Sequence, residues 1–336
     1  MTHPDPIDEI ARAVLYEGYV LWPYRRSAVK NRQRWTFGGV FPPGWTDDGH
    51  PDDPSHMQTQ CLVIGPDDAT LEIEIRFLHV VERHVTQRTA ARLEPVDELT
   101  VDGQRHLSWE EATERWVAEL PLSLAELRER RQLKIDVPSG QALELLGPGG
   151  TAGALLRGWG ELTGEIVLKA EPLTSQLHRV TVRIVNTTPW KGAERADALR
   201  HSLVSTHTVL RAAGAEFVSL TDPPAALEPF AGTCENDGTW PALVGPVGSN
   251  DIVLSSPILL EDHPRIAPES PGDLFDGGEI DELLILNILS LTDEERQEAR
   301  ASDPRTRELI ERCEGLTPQQ LMQLHGRSDL RAMGER

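Results

Sequence analysis

Cysteine is scarce in this 336-residue chain, and its three thiols, Cys61, Cys234 and Cys313, lie far apart in the sequence. That spacing fits neither a disulfide framework nor a CxxC metal site, so we interpret them as buried or incidental thiols. No run approaches the roughly 20 apolar residues that a membrane span needs. The opening residues, MTHPDPIDEIARAV, lack the basic and apolar regions of a secretion signal. These features predict a cytoplasmic protein without a membrane span.

Basic residues are also few relative to acidic ones, 33 against 54, which gives a formal net charge of −21. A field of this sign repels phosphate backbones and anionic membrane surfaces, so nucleic acid is not expected as a partner. With 39% hydrophobic and 26% charged residues, the composition is that of a globular protein. The length allows one large core or two packed lobes.

Motifs for nucleophilic catalysis and nucleotide binding are missing. We find no GxSxG, no SxxK and no cysteine framed by a histidine. The glycine-rich stretch at 147–153, GPGGTAG, has neither the GK[ST] ending nor the GxGxxG spacing, and we predict a turn there. Acid and base carboxylates can come from distant parts of a fold. The sequence therefore leaves open whether the protein is an enzyme, and we favour a non-enzymatic role.

Alternation of apolar and polar residues is what the middle of the chain does contain. Segments 57–65 and 69–82, separated by Pro66-Asp67-Asp68, predict the two strands of a hairpin, and Asp102-Gly103 predicts another hairpin turn. Further strands are predicted at 133–137, 164–173, 178–188 and 216–220. We expect an α+β fold with an antiparallel β-sheet or β-sandwich core built between about 57 and 185. The expected core residues include Ile73, Ile75, Ile166, Leu168, Val180, Val182 and Ile184.

Helical periodicity appears at both ends and once in between. It predicts a helix at 5–17, another at 193–213 ended by Gly214, and C-terminal helices from 279 onward, including one at 317–326. Thr292 and Glu295 have the spacing of a capping box. Segment 108–127 is ambiguous between helix and strand. We divide the chain into 1–56, 57–190 and 191–336, with a single packed unit as the alternative.

An acidic segment at 261–282 contains one histidine, and its carboxylates and imidazole are the ligand types of a divalent metal. The spacing matches neither the calcium loop nor the HExxH zinc helix. We therefore expect no cofactor, with a divalent metal as the alternative. A solvated loop and a docking surface for a basic partner are the other interpretations. The candidate metal ligands are His263, Glu269, Asp273 and Asp276; the candidate contact residues are Asp262, Glu269, Asp273, Asp276 and Glu279.

A basic and aromatic segment lies near the start of the chain, and the net charge argues against its binding nucleic acid. We interpret its arginines as partners of the acidic segment, which would hold the two ends of the chain together. The alternative is a site for an anionic ligand or a protein partner, with an anion pocket lined by Arg25, Arg26 and Arg34. The candidate contact residues are Trp22, Tyr24, Arg25, Arg26, Lys30, Arg32, Arg34 and Trp35.

Four other histidines are candidate metal ligands by residue type. His201 and His207 are six residues apart on the helix predicted at 193–213, so they would lie on different faces and could not chelate one metal. We expect them to be surface or core histidines. His50 and His56 are in DDGHPDDPSH, which fits a polar loop or an adventitious metal site.

Two longer stretches carry a family resemblance. These are LYEGYVLWPYRRSAVKNRQRWTFGGVFP at 15–42 and VLSSPILLEDHPRIAPESPGDLFDGGEIDELLILNILSLTDEE at 253–295, about a fifth of the chain. They resemble an uncharacterised protein family encoded in actinobacterial-type nickel–iron hydrogenase gene clusters. The resemblance implies an accessory protein that assists assembly, maturation or electron-transfer organisation, with hydrogenase subunits as partners. It assigns no catalytic residue.

Three functional hypotheses follow. The first is a non-enzymatic accessory or scaffold protein that works through protein contacts. The second is a metal-dependent hydrolase that uses the segment from His263 to Asp276. The third is an anion-binding module. Self-association into a homo-oligomer is compatible with each of them.

Overall fold

The computed structural model describes residues 6–17, 37–90, 92–264 and 281–317. The strands of this part are β1 His56–Ile64, β2 Thr70–Arg88, β3 Leu93–Val96, β4 Glu98–Val101, β5 Gln104–Leu107, β6 Trp109–Ser123, β7 Arg131–Val137, β8 Gly140–Leu146, β9 Gly153–Trp159, β10 Leu162–Pro172, β11 Leu177–Asn186, β12 Val204–Ala213, β13 Glu216–Val218, β14 Trp240–Leu243 and β15 Ile252–Ser256. The helices are α1 Pro6–Tyr16, α2 Pro43–Asp47, α3 Arg195–Leu199, α4 Glu228–Ala231, α5 Asp281–Leu289, α6 Asp293–Ser302 and α7 Pro304–Glu314.

Two antiparallel sheets form the centre of the structure. One has five strands in the order β13-β1-β11-β10-β7. The other has eight strands: six run in the order β14-β15-β12-β2-β9-β8, and β3 and β6 also pair with β2. Strands β4 and β5 form a separate hairpin whose turn, Asp102-Gly103, has positive φ at both residues, as the sequence predicts. The expected α+β fold with an antiparallel β-rich core is confirmed.

One hydrophobic cluster draws its residues from both sheets. Leu71, Ile73, Ile75 and Phe77 of β2 belong to it, and so do the inward residues of β1, β10 and β11. The seven core residues expected from the sequence are all at most 1% exposed and lie in this cluster. The alternation of the strands therefore identified the buried face correctly.

The hairpin predicted from segments 57–65 and 69–82 is wrong. Both segments are strands, but β1 pairs with β11 and β13 in the five-stranded sheet, whereas β2 belongs to the other sheet. The short turn after Ile64 carries the chain from one sheet to the other. Alternation reports which face of a strand is buried, and it does not tell whether the next strand lies beside it or opposite it.

The helix predicted at 193–213 is also wrong over most of its length. Only Arg195–Leu199 is helical, and Val204–Ala213 is strand β12, which lies between β2 and β15. Residues 204–210 are all buried, so the strand has two covered faces and no period-two pattern. A continuous apolar run of this kind cannot be told from a helix by periodicity, although its valines and threonines favour a strand.

The terminal helices agree better with the sequence. Helix α1 lies within the predicted 5–17, and α5, α6 and α7 occupy the predicted C-terminal region. Thr292 accepts a hydrogen bond from the Glu295 backbone while Glu295 accepts one from the Thr292 backbone, so the capping box is confirmed. The helix predicted at 317–326 lies almost entirely outside the described residues. Among the described residues no helix is long and apolar enough to cross a membrane.

Two of the three thiols are buried, Cys61 and Cys313, and Cys234 is half-buried; all three are free. Burial raises the pKa of Cys61 and also raises that of Cys313, to about 11. The interpretation of Cys61 and Cys313 as buried thiols is confirmed. The proposed division at 56 and 190 stays a prediction.

Candidate functional site

Most residues of the two charged segments lie outside the described part of the chain. The first group is Trp22, Tyr24, Arg25, Arg26, Lys30, Arg32, Arg34 and Trp35, and the second is Glu269, Asp273, Asp276 and Glu279. Their predicted pairing with one another, and their predicted contacts with a partner, stay predictions. Of the acidic candidates, only Asp262 and His263 can be placed.

Asp262 is a structural carboxylate. Its Oδ2 accepts hydrogen bonds from the hydroxyls of Ser219 at 2.5 Å and Thr221 at 3.1 Å, and its Oδ1 accepts one from the Leu243 backbone at 2.8 Å. These bonds tie the end of β14 to the loop after β13. A carboxylate that accepts three bonds from its own chain has little capacity left for a partner.

His263 continues the same tether. Its backbone nitrogen donates to Leu243 at 2.7 Å, and its Nδ1 lies 3.3 Å from the Gly245 carbonyl. The residue has φ +56°, a left-handed conformation that non-glycine residues adopt rarely. Within the described ranges, no group of three or more histidine, cysteine or acidic side chains is arranged to hold a metal ion.

His50 lies in a polar loop, and His56 is the first residue of β1 at the end of that loop. The His50 ring stacks on Trp45 with centroids 3.6 Å apart, and His56 Nε2 is 3.0 Å from Asp237 Oδ2. Asp53 accepts two hydrogen bonds from Arg195 and one from Trp45. Burial alone would raise the pKa of Asp53, but these bonds outweigh it and hold that pKa below the usual value. The polar-loop interpretation fits these contacts.

His201 and His207 do not share a helix. His201 follows α3, and its Nδ1 is 3.0 Å from the Asp197 carbonyl. His207 lies on β12, fully buried, with its Nδ1 3.0 Å from the Ser205 carbonyl. Burial lowers the pKa of His207 to about 4, so its ring is neutral at pH 7. His207 is therefore a core histidine, one of the two outcomes expected.

Strand β6 is the most exposed apolar feature that the sequence left undecided. This 15-residue strand pairs along one edge with β2, and along its other edge it pairs with no strand of the described ranges. Trp116 is 66% exposed and Leu120 is 80% exposed, four residues further along. Long edge strands with exposed apolar side chains are uncommon because their free backbone groups invite pairing with another chain.

Ion pairs fix this strand to the rest of the molecule. Glu110 pairs with Arg200 at 3.3 Å, Glu114 with Arg305 at 3.0 Å, and Glu119 lies 3.8 Å from Arg131. The carboxylates of β6 are therefore held by the protein's own cations, whereas its large apolar side chains Trp116 and Leu120 project into solvent. The strand is a rigid edge with an apolar surface.

Sequence reasoning missed this surface. The segment from Trp109 to Ser123 mixes helix-forming glutamates and alanines with strand-forming aromatic and branched residues, so its secondary structure was ambiguous. The pairing of β2 makes this segment a strand, and among the described strands β2 is its one partner. Neither can be read from local pattern.

A cleft lies elsewhere, where β1 and β12 end. Its volume is about 510 Å³, and its walls include Ile64, Ala212, Ala215, Asn250 and Asp251. Asp251 accepts a hydrogen bond from Ser249, which leaves the cleft lined mainly by small side chains and backbone. The charged residues of its lining are two carboxylates, Glu216 and Asp251.

No protein-family model matches this chain, and a search of the curated proteins finds no match to it either.

Proposed function

We propose that this protein is a non-enzymatic accessory protein that binds a protein partner at the part of β6 around Trp116 and Leu120, along the edge that pairs with no strand of the described ranges. The observation that carries the proposal is the exposure of Trp116 and Leu120 on a 15-residue edge strand. Tryptophan is the residue most often found as an energetic anchor of protein interfaces. A free strand edge supplies the backbone donors and acceptors for adding a partner strand.

The position of β6 supports this role. We infer that the two sheets pack as a β-sandwich, because one hydrophobic cluster joins them, and that β6 forms one margin of it. Trp116 lies opposite Arg76 of β2 in the register, on the outer face of the sheet. Burying a large apolar side chain contributes roughly 1.5–3 kcal/mol, so Trp116 alone could anchor a partner segment.

The partner we propose is an extended segment with apolar residues at every second position and basic residues between them. The apolar residues would cover Trp116 and Leu120. The basic residues match the net charge of −21, which attracts cations over long range. Following the resemblance of segments 15–42 and 253–295, we propose that this segment belongs to a nickel–iron hydrogenase subunit in the cytoplasm.

The test is binding to purified hydrogenase large and small subunits from the same organism, measured by biolayer interferometry. Trp116→Ala is expected to weaken binding at least tenfold. The matched control is Trp240→Ala, because Trp240 is also exposed, at 45%, but lies on β14. Equal loss in both variants, or none in Trp116→Ala, would place the contact elsewhere.

Native mass spectrometry separates this proposal from self-association. A doubled mass in the wild type that disappears in Trp116→Ala would make a second copy the occupant of β6 and overturn the partner proposal. A monomer mass for both proteins, together with subunit binding that depends on Trp116, supports it.

A further inference from the structure

A gap in the pairing of β2 lies close to β6. Along one edge of β2, β12 pairs with the strand from Thr70 to Leu78, and β9 pairs with it from Glu82 to Gln87. Residues 79–81 lie between these two partners. The chain that follows α3 and the residue that follows β9, Gly160, come together at this gap: a Cβ placed on Gly160 would be 3.2 Å from His201 Nε2.

The register places three side chains on one face of the sheet at this gap. His79 is opposite Thr113, and Phe77 is opposite Arg115, so His79 and Arg115 are diagonal neighbours on the same face. Trp159 follows Gly158, the partner of Glu82, and therefore lies on the same face as well. The Arg115 guanidinium carbon is 5.5 Å from the centre of the Trp159 ring.

Trp159 and His201 are held in place by their other contacts. Trp159 Nε1 donates to the Pro138 carbonyl at 3.1 Å. The His201 ring is positioned by the Asp197 carbonyl, and its own carbonyl accepts a bond of 2.8 Å from Asn186. The half-buried Arg115 and Trp159 form the outer part of the cluster, and His79 lies beneath them.

Two polar side chains of this cluster, Arg115 and His79, lack hydrogen-bond or ion-pair partners among the described residues. Arg115 makes no ion pair with a carboxylate of the described ranges, and its buried Nε has no hydrogen-bond partner there. His79 is 0% exposed, and neither of its ring nitrogens has a hydrogen bond of normal geometry with the described residues. Burial, followed by the positive charge of Arg115, lowers the pKa of His79 to about 4, although the nearby Arg200 carbonyl favours the protonated ring.

An arginine without an ion pair, such as Arg115 among the described residues, is unexpected in a chain with 54 acidic and 33 basic residues. The Arg115 guanidinium offers N–H donors and one positive charge, and no carboxylate of the described residues lies opposite them. The N–H groups of Trp159 and His201 already face the Pro138 and Asp197 carbonyls. The planar fork of arginine matches the paired oxygens of a carboxylate or phosphate. Partial burial strengthens such a charge-assisted bond.

We propose that Arg115 binds one small oxyanion group, a carboxylate or a phosphate, at this cluster, with His79 and His201 beside the bound group and Trp159 as its wall. The site differs from the anion pocket predicted from Arg25, Arg26 and Arg34. It does not depend on partner binding through Trp116, because Arg115 and Trp116 are adjacent in β6 and point to opposite faces of the strand.

The test uses the full chain labelled with ¹⁵N-histidine, and follows the imidazole signals by NMR. Sodium acetate and sodium phosphate are titrated separately, with sodium chloride at equal ionic strength as the reference. The signals of His79 and His201 are identified among the eleven histidines from the variants His79→Gln and His201→Gln. We expect saturable shifts of these two signals with at least one of the two oxyanions and not with chloride.

Arg115→Gln is expected to weaken the binding at least tenfold. Arg128→Gln is the matched control, since Arg128 is an exposed arginine already paired with Asp67, and it should bind as the wild type does. Acetate-only binding identifies a carboxylate site, and phosphate-only binding a phosphate site. Three results would overturn the proposal. They are no shift with either oxyanion, an equal shift with chloride, and a shift that is unchanged in Arg115→Gln. Arg115 is half-buried, so Arg115→Gln is expected to fold. It therefore still tests the proposal if His79→Gln does not fold.

Discussion

Arg83 and Arg115 lie on the same face of the β2–β6 pair, yet their surroundings are opposite in kind. Arg83 is 5% exposed, and its guanidinium bonds Glu111 at 3.1 Å, the Leu107 carbonyl at 3.1 Å and the Ser302 carbonyl at 2.9 Å. Arg115 is half-buried and forms no ion pair with a carboxylate of the described residues. A buried charge whose donors are all used holds the fold together, whereas one whose donors are free is available to a ligand.

Arg83 also connects distant parts of the chain. Its Nη2 donates to the carbonyls of Ala301 and Ser302, the last two residues of α6. A positive charge at the C-terminal end of a helix interacts favourably with the helix dipole. Arg157 shares Glu111 with it and reaches Glu144 at 2.7 Å. The Arg83 guanidinium therefore joins the C-terminal end of α6 to the central sheet.

The largest effect is expected for Arg83→Met. It leaves Glu111 with Arg157 alone and removes the cap of α6, so the free energy of unfolding should fall by about 3–5 kcal/mol. Urea unfolding followed by circular dichroism measures it. The exposed pair of Arg128 and Asp67 is the control, and Arg128→Met should cost less than about 1 kcal/mol.

A double variant sharpens this prediction. In Arg83→Met/Glu111→Leu neither buried charge remains at this position, so the loss should be smaller than in Arg83→Met alone. If the double variant is no more stable than the single one, the helix cap and not the buried ion pair is the main contribution of Arg83.

Acid should destabilise the protein through its buried neutral histidines. Burial lowers the pKa of His207 to about 4 from about 6.5, so between these values the unfolded chain binds the proton and the folded one does not. Stability therefore falls as pH falls through this window, by about 3 kcal/mol for His207. We expect urea unfolding at pH 7, 5.5 and 4.5 to show a shallower loss in His207→Gln than in the wild type. Parallel pH profiles would contradict this origin.

The two ends of α6 offer a smaller comparison. Its N-terminus is closed by the side chain of Thr292 and its C-terminus by the guanidinium of Arg83. Thr292→Ala should lower the free energy of unfolding by about 1 kcal/mol, less than the loss of Arg83, because the freed backbone nitrogen can bind water at this exposed end. Thermal unfolding of the two variants side by side tests the order, and the reverse order would show that the N-terminal cap dominates.

Arg115→Gln is expected to have the smallest effect on stability, about 0.5 kcal/mol or less, because it breaks no ion pair with a described residue. Its effect should instead appear on adding ligand: the anion that binds the wild type should raise its melting temperature and leave that of Arg115→Gln unchanged. A loss of stability as large as that of Arg83→Met would show that Arg115 is structural.

Local pattern succeeded wherever one face of an element is wet and the other buried. The alternation of Leu71, Ile73 and Ile75 with Glu72 and Glu74 located both β2 and its core face. It failed for β12, whose two faces are covered, and for β6, whose glutamates point to ion pairs and not only to water. In both strands the neighbours, which lie far away in sequence, decide what each side chain meets.

The candidate sites depended on tertiary structure to a greater degree. The sequence identified the charged segments at 22–35 and 261–282 by their composition, and of their candidate residues the structure places only Asp262 and His263. The cluster of His79, Arg115, Trp159 and His201 comes from four separate parts of the chain, joined by strand register and by the gap in the pairing of β2. No spacing of these residues in the sequence predicts that they lie together.

By itself the sequence determined the class of the fold, the strands β1, β2, β7, β10, β11 and β13, the buried face of β2, β10 and β11, and the N-terminal cap of α6. These depend on interactions between residues a few positions apart, through the periodicity of side chains and the free backbone groups at helix ends. Only the tertiary structure decided that β1 and β2 belong to different sheets, that one edge of β6 pairs with no described strand, and that Arg83, unlike Arg115, forms an ion pair with a described carboxylate. These depend on which distant strands become neighbours, because the cost of an unpaired charge or an exposed edge is set by those neighbours.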